Sequence, residues 1–210
     1  MFKNVSNTIF NNISFQVQDN DLVLIFSENK QKLAVIKDLI SGQKQPDTGL
    51  VKLTAFQKNR SKSGADFCKI VDHKCDFLSH RSIRENLYFI QNVLSLNRLQ
   101  SGGNEDIEQI LRFVELKVEA HKKPFQLMKH QYLRLCLARA LLFAPSFLVV
   151  FNPTQGLSEI NSRAAGYLLK RINNRGISVL ILTSDRRLLG LNSGQKDICL
   201  KKGASFPEKN

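Results

Sequence analysis

Side chains that could bind a metal or form disulfides are scattered along this sequence of 210 residues. The four cysteines form no C-x-x-C pair and have no histidine at metal-ligand spacing. They are Cys68, Cys75, Cys136 and Cys199. His73 and His80 share one loop without partners at ligand spacing, so we interpret them as ordinary polar loop residues. The sequence thus predicts a reducing environment, with neither a metal site nor a disulfide framework.

Positive charge is the second feature with chemical consequences. The formal net charge is +13, which favours anionic partners such as nucleic acid, acidic lipid headgroups or an acidic protein face. A solvated lysine-rich surface explains the charge equally well. Lys58, Arg60 and Lys62, in a predicted exposed loop over 57–64, could contact phosphates. No motif for reading a nucleic-acid sequence accompanies them, so nucleic acid is not the partner that we expect.

The apolar content, 42% of the residues, suffices for one substantial α/β core. The most apolar region, 135–151, is interrupted by Arg139 and Pro145 and falls short of the ~18 uninterrupted apolar residues of a membrane span. The first ten residues lack the basic head and long apolar stretch of a signal peptide. Any membrane association is therefore expected to be peripheral.

The elements that must position any site begin with a βαβ unit. The apolar run 22–26 predicts a buried central strand, and a polar loop over 27–32 follows it. Residues 33–41 have apolar side chains at helical spacing, and Gly42 is placed to end that helix. A turn then leads into a predicted strand over 50–53.

Strands and helices continue to alternate along the chain. Further strands are predicted over 13–17, from 70, and over 147–151 and 177–183; further helices over 82–96, from 105 or 106 to 115, over 131–143 and over 162–173. Such alternation predicts an α/β fold with a mostly parallel sheet flanked by helices, and an N-terminal β portion. A helical subdomain over 78–124 is predicted to interrupt a core of 1–77 and 125–200, with a tail over 201–210.

Five short segments, in the same order and at similar separations, resemble the ATP-binding cassettes of ABC transporters. The signature L-S-G-G-Q and the basic helix ending in A-R-A-L are matched in part by Leu127, Gln131, Arg134 and residues 138–141. D-E-P-T and G-L-D are echoed by 151–154 and 156–158, while 41–49 and 85–89 resemble the family's A-G-L-x-x-P-D-x-G and E-N-L segments. The resemblance implies one nucleotide-binding domain with the fold of P-loop NTPases.

The phosphate-binding loop of that family, G-x-x-x-x-G-K-[ST], is altered at each defining position. In the family's register, Ser27 and Lys32 replace the glycines, Leu33 the lysine and Ala34 the hydroxyl residue that ligates Mg²⁺. A side chain at a glycine position obstructs close backbone approach to phosphate. We therefore predict an ordinary connection between strand and helix, although Lys30 or Lys32 could still lend charge to a phosphate.

The other catalytic positions implied by the resemblance are altered as well. Phe151 replaces the Mg²⁺-binding aspartate, Asn152 the water-activating glutamate, Lys74 the γ-phosphate-sensing glutamine and Ser184 the switch histidine. Three further residues differ from the family's pattern: Met128 and His130 replace the signature serine and glycine, and Ser158 replaces the dimer-contact aspartate. Of the nucleotide-facing positions, only Gln131 is retained. The resemblance thus implies a pseudoenzyme without a catalytic residue, a bound metal or a cofactor.

Two alternative functions stay open: an active ATPase that uses unusual nucleotide contacts, and a basic nucleic-acid-binding module on the same fold. Weak binding of ATP with Mg²⁺ also stays open. Asp185 and Glu159 follow altered positions, and we interpret both as solvent-facing or helix-starting charges rather than as replacement catalysts.

Within the family, the segment 73–89 is most similar to the haem-exporter ATP-binding subunit of cytochrome c maturation. His73, Glu85, Asn86 and Leu87 fit that subunit's pattern without a gap. The resemblance implies integral membrane subunits as partners, contacted around 74–84, and a homodimer or a heterodimer with another ATP-binding subunit. It also implies a peripheral location, on the cytoplasmic face of a bacterial inner membrane or the matrix face of the mitochondrial one.

Overall fold

The computed structural model describes residues 2–7, 10–52, 68–72, 75–96, 106–191 and 194–200. The predicted basic loop, His73, Lys74 and the predicted tail over 201–210 lie outside these ranges. Within them, none of the helices combines the length and apolar character needed to cross a bilayer.

The strands are β1 (Phe2–Asn7), β2 (Phe10–Phe15), β3 (Leu22–Phe26), β4 (Thr48–Val51), β5 (Cys68–Val71), β6 (Phe147–Phe151), β7 (Ser178–Thr183) and β8 (Gln195–Cys199). The helices are α1 (Lys30–Ser41), α2 (Ile83–Leu96), α3 (Ile107–Phe113), α4 (Lys129–Leu141) and α5 (Glu159–Asn173).

The central sheet has five parallel strands in the order β5-β6-β7-β3-β8. Its middle strands β3 and β7 are buried along their whole length, as their continuous apolar runs predicted. Together with the flanking helices, this arrangement confirms the predicted fold class. A second, antiparallel sheet of order β2-β1-β4 supplies the N-terminal β portion, where the rings of Phe2 and Phe15 stack at 4.3 Å.

Alternate residues of the central strands face two different cores, because side chains along a strand point to opposite faces. Leu22 and Leu24 belong to the core that includes α2 to α5. Val23 and Ile25 belong to the core shared with α1 and the N-terminal sheet. The central sheet is therefore covered on both faces, and its strand ends are the part left to form a site.

Helices α2 and α3 lie in the region predicted as a helical subdomain. The Glu85 carboxylate accepts hydrogen bonds from the Ser82 N–H and hydroxyl, both at 2.7 Å, and thereby caps α2. An ion pair between Arg84 Nε and Glu108 Oε1, at 2.7 Å, joins α2 to α3. The boundaries of the subdomain at 78 and 124 stay a prediction.

Three helices begin earlier than periodicity predicted: α1 at Lys30 rather than at 33, α4 at Lys129 rather than at 131, and α5 at Glu159 rather than at 162. For α1 and α5 the physical reason is a polar cap, because the side chains of Asn29 and Ser158 accept hydrogen bonds from the first turn. Gly42 ends α1 in the left-handed conformation, as predicted (φ 75°).

Candidate functional site

The carboxyl ends of the parallel strands form one edge of the central sheet. Ligands of open α/β sheets bind at this edge. Ser27 follows β3, Asp72 follows β5, Asn152 follows β6 and Ser184 follows β7. The structure thus brings together three predicted site positions, Ser27, Asn152 and Ser184, and places Asp72, which was not predicted, at the same edge.

The connection between β3 and α1 is a turn of three residues, Ser27 to Asn29. The Asn29 Oδ1 accepts a hydrogen bond from the Gln31 N–H at 2.9 Å, and the Ser27 hydroxyl accepts one from the Asn29 N–H at 3.2 Å. The Ser27 N–H donates to the Thr183 carbonyl at 3.1 Å. The expected loop over 27–32 is therefore wrong: its last three residues are helical.

This capped turn alters the usual way in which a helix binds phosphate. Free backbone N–H groups at a helix N-terminus attract an anion. In α1 the Asn29 side chain already accepts from the first turn, and the Lys32 N–H donates to the Asn29 carbonyl at 3.2 Å. Glu28 adds a carboxylate beside the turn, where it forms an ion pair with Arg186.

Leu33, at the position of the phosphate-binding lysine, is fully buried in the core between α1 and the central sheet. Ala34 and Lys32 are half-buried. A side chain at position 33 is directed into apolar surroundings and not toward the sheet edge, so even a lysine there would have to leave the core to meet a ligand.

A basic residue that sequence reasoning missed lies one helical turn after Leu33. Lys37 Nζ is 5.2 Å from the centroid of the Phe151 ring and 3.4 Å from Asp72 Oδ2. Its cation thus contacts the ends of β6 and β5, where the resemblance places the Mg²⁺-binding aspartate. No sequence signal distinguished Lys37 from the other lysines of the chain.

Asn152 joins the carboxyl ends of β6 and β7 through hydrogen bonds. It is buried and adopts the left-handed conformation, with φ 47°. Its N–H donates to the Leu182 carbonyl at 2.7 Å, and its Oδ1 accepts from the Ser184 N–H at 3.3 Å. The two altered catalytic positions on these strands therefore hydrogen-bond to each other.

Asp185 continues this network on the next residue. Its carboxylate accepts hydrogen bonds from the Thr154 hydroxyl at 2.6 Å and from the Arg187 N–H at 3.0 Å, which caps a short 3-10 turn over 186–188. Burial raises the pKa of this carboxyl, but the hydrogen bonds from Arg187 and Thr154 outweigh it, and the net pKa lies below the ordinary value. The interpretation of Asp185 and Glu159 as helix-starting charges is confirmed.

Gln131 lies in the first turn of α4 rather than at the sheet edge. Its Oε1 accepts from the Met128 N–H and its Nε2 donates to Glu119 Oε1, both at 3.0 Å. Ser158 likewise caps α5 through the Asn161 N–H at 3.4 Å. The one retained nucleotide-facing residue therefore has a folding role in this chain. Met128 beside it is largely exposed.

Comparisons with known proteins agree on one architecture. The chain superposes on CbiO1 of Clostridium perfringens, part of an ABC transporter complex, with a TM-score of 0.71 at 18% identity, covering 92% of this chain and 84% of the other. For the dimeric ABC transporter cassette MJ0796 the TM-score is 0.69 at 21% identity, over 94% and 93% of the two chains. No family model matches the chain.

Relatives found by sequence are ATP-binding proteins. The lipoprotein-releasing system protein LolD of Buchnera aphidicola is 25% identical over 208 residues, 95% of this chain and 89% of LolD. The cell division protein FtsE of Mycobacterium tuberculosis is 23% identical over 194 residues, 90% and 83% of the two chains. The chain therefore has the fold of an ABC-type ATP-binding cassette, and its sequence is similar to those of ATP-binding proteins of this type.

The described residues of this cassette do not fit Mg·ATP. Asn29 caps the helix that would face the phosphates, Leu33 lies in the core, and Phe151 has no oxygen for a cation. No group of three or more His, Cys, Asp or Glu side chains that could hold a metal ion exists among the residues the structure describes. Lys74, which the sequence placed in the same site, is outside those residues.

Proposed function

We propose that this cassette is a non-hydrolysing subunit of an ABC transporter complex, contributing structure while any ATP turnover occurs elsewhere. The observation that carries the proposal is the start of α1 at Lys30 under an Asn29 cap, with Leu33 in the core. Phosphate binding at this edge would require that first turn to unwind and a buried leucine to leave its site. The hydrogen bond between Asn152 and Ser184 supports the same reading, since it joins the ends of β6 and β7.

The partners that we propose rest on analogy with the related proteins. CbiO1 is part of a transporter complex, MJ0796 forms a dimer, and LolD belongs to a lipoprotein-releasing system. By analogy, this cassette would bind integral membrane subunits and pair with a second copy or with another ATP-binding subunit. We place it peripherally on the cytoplasmic face of a bacterial inner membrane, since the organisms of LolD and FtsE are bacterial; nothing in those names supports a mitochondrial location.

Haem export stays a narrower hypothesis without support from these relatives, whose names concern lipoprotein release and cell division. The residues behind it also have structural explanations. Glu85 caps α2, and Leu87 is fully buried. Asn86 is buried and hydrogen-bonds the backbone of the turn before α2, at Leu78, Arg81 and Ser82. Since folding alone explains these side chains, they discriminate poorly among transporters.

Phosphate release from Mg·ATP by the purified full chain tests the proposal. We expect no release above the buffer rate. The contrary result is Mg²⁺-dependent release that changes in an Asn152→Ala variant, which would identify an active ATPase with unusual contacts. A contaminating ATPase would give the same rate in both preparations and is thereby recognised.

A further inference from the structure

Two cysteines that have no part in the candidate site lie against one small cavity. Its volume is about 290 Å³, and its lining includes Cys75, Cys136, Lys69 and Arg139. Cys75 is half-buried in the segment after β5, and Cys136 is buried on α4. The fold thus brings together two thiols that are 61 positions apart in sequence (136 − 75).

Helix α4 holds the segment that carries Cys75 with side chains on either side of Cys136. The Tyr132 hydroxyl donates to the Cys75 carbonyl at 2.5 Å, and an Arg139 guanidinium N–H donates to the Asp76 carbonyl at 2.9 Å. Positions 132, 136 and 139 recur at helical spacing on one face. Cys136 therefore faces the segment between two anchoring contacts and lines the same cavity as Cys75, whose thiol donates a hydrogen bond to the Asp72 carbonyl at 3.5 Å.

The two thiols differ in acidity. A hydrogen bond with Cys136 lowers the pKa of Cys75, helped by the Arg139 charge and opposed by burial and by the Asp72 and Asp76 charges. The same hydrogen bond and burial raise the pKa of Cys136. Cys75 is also the more accessible of the two, since it is half-buried while Cys136 is buried. Because the thiolate is the nucleophile in thiol chemistry, both differences favour Cys75 as the attacking sulfur and Cys136 as the second.

We propose that Cys75 and Cys136 form a redox-active dithiol that is oxidised to a disulfide by small-molecule disulfides. In the first step the Cys75 thiolate attacks one sulfur of the molecule RSSR, which forms a mixed disulfide and releases RS⁻. Cys136 then loses its proton and attacks the Cys75 sulfur, releasing the second RS⁻. The two protein thiols are oxidised, one RSSR is reduced, and the two protons end on two RSH molecules.

The remaining cysteines are internal controls. Cys68 packs in the core on the opposite face of the central sheet from Cys75, and burial raises its pKa to about 11. Cys199 is exposed on β8, at the other edge of the sheet from β5. Neither is placed to compete for Cys75. A disulfide between Cys75 and Cys136 would bond the segment after β5 covalently to α4.

Oxidised glutathione tests this proposal on the full chain carrying Cys68→Ser and Cys199→Ser. We expect the intact mass to fall by two hydrogen atoms, both thiols to be lost, and one cross-linked peptide to join Cys75 to Cys136. With Cys136→Ala added, the reaction is expected to stop at a single glutathione adduct on Cys75. With Cys75→Ala instead, Cys136 is expected to stay unmodified.

Two results would overturn the proposal. One is a folded chain that stays reduced at glutathione concentrations that cross-link the same chain in denaturant. The other is a glutathione adduct that persists on Cys75 while Cys136 is present. Circular dichroism on each variant establishes folding, and if Cys136→Ala does not fold, the parent double variant and Cys75→Ala still decide the outcome.

Discussion

The Asn152 side-chain oxygen accepts a hydrogen bond from the Ser184 N–H, with 3.3 Å between oxygen and nitrogen. The resemblance places the water-activating glutamate at the first position and the switch histidine at the second. In this cassette the two positions are bonded to each other across the ends of β6 and β7. A pair of strand ends that would face a ligand is thus stabilised by contacts within the protein.

Asn152→Ala is expected to lower the free energy of unfolding by about 1–3 kcal/mol, since it leaves the Ser184 N–H without this acceptor. Alanine also adopts the left-handed conformation of position 152 less readily than asparagine. Urea unfolding measures the change. Asn174→Ala, at an exposed position with φ −63°, is the matched control and should stay within about 0.5 kcal/mol of wild type. Equal effects at the two positions would contradict the assigned role of Asn152.

Placing a lysine at the position of the family's phosphate-binding lysine is expected to destabilise the chain without restoring nucleotide binding. Leu33→Lys is expected to cost about 3–5 kcal/mol of unfolding free energy, because it places an unpaired charge in the core. It should not confer Mg·ATP binding. Leu33→Met, which keeps the apolar volume, should cost less than about 1.5 kcal/mol. Near-wild-type stability of Leu33→Lys would show that position 33 can reach solvent and would count against the described geometry.

Asn86 is expected to contribute to the stability of the fold rather than to recognition of a transported substrate. Its side chain donates to three carbonyls and accepts from the Leu78 N–H, at 2.7–3.2 Å. Asn86→Ala is expected to lower the free energy of unfolding by about 3 kcal/mol, since buried backbone groups lose their partners. Asn92→Ala, on the exposed side of α2, is the control, and the better helix propensity of alanine predicts no loss. A small effect at Asn86 would reopen a functional role for it.

Acid should remove the contribution of Asp185 to stability. Its folded-state pKa lies below the unfolded value of about 3.9, so its stabilising effect is fully present above that pH and is lost as the pH falls through the folded pKa. Asp185→Asn should cost about 1 kcal/mol at neutral pH. The difference between wild type and variant should shrink below about pH 4. A difference that stays constant from pH 7 to acid would contradict the assigned network.

The buried strands were predictable from sequence because continuous apolar runs are a local signal. The predictions over 22–26 and 147–151 match β3 and β6 residue for residue, and β7 differs by one residue at its start. β1 and β8 were missed. In β8 the neighbouring charged residues Lys196 and Asp197 are both exposed. Apolar and polar residues therefore do not alternate along β8, and the pattern typical of a half-buried strand is absent from it.

The site was less predictable because its contacts join distant residues. The register of the resemblance identified the altered positions, but the polar run after β3 predicted a loop of six residues. The Asn29 cap starts α1 three residues earlier than that. The contact of Lys37 with Phe151 and the bond from Thr154 to Asp185 depend on which strand ends meet, and no local pattern encodes that.

Calorimetric titration of the purified cassette with Mg·ATP tests the central claim most directly, supported by thermal unfolding at the same nucleotide concentrations. A ligand at 100 times its Kd stabilises the folded state by about 2.7 kcal/mol. Such stabilisation raises Tm by roughly 5–10 °C in a chain of this size. We predict no heat of binding and no shift in Tm for the folded chain, with LolD binding under identical conditions. Saturable, Mg²⁺-dependent heat with a matching rise in Tm would contradict the account, because it would show that the strand edge closed by Asn29 and Asn152 still opens to nucleotide.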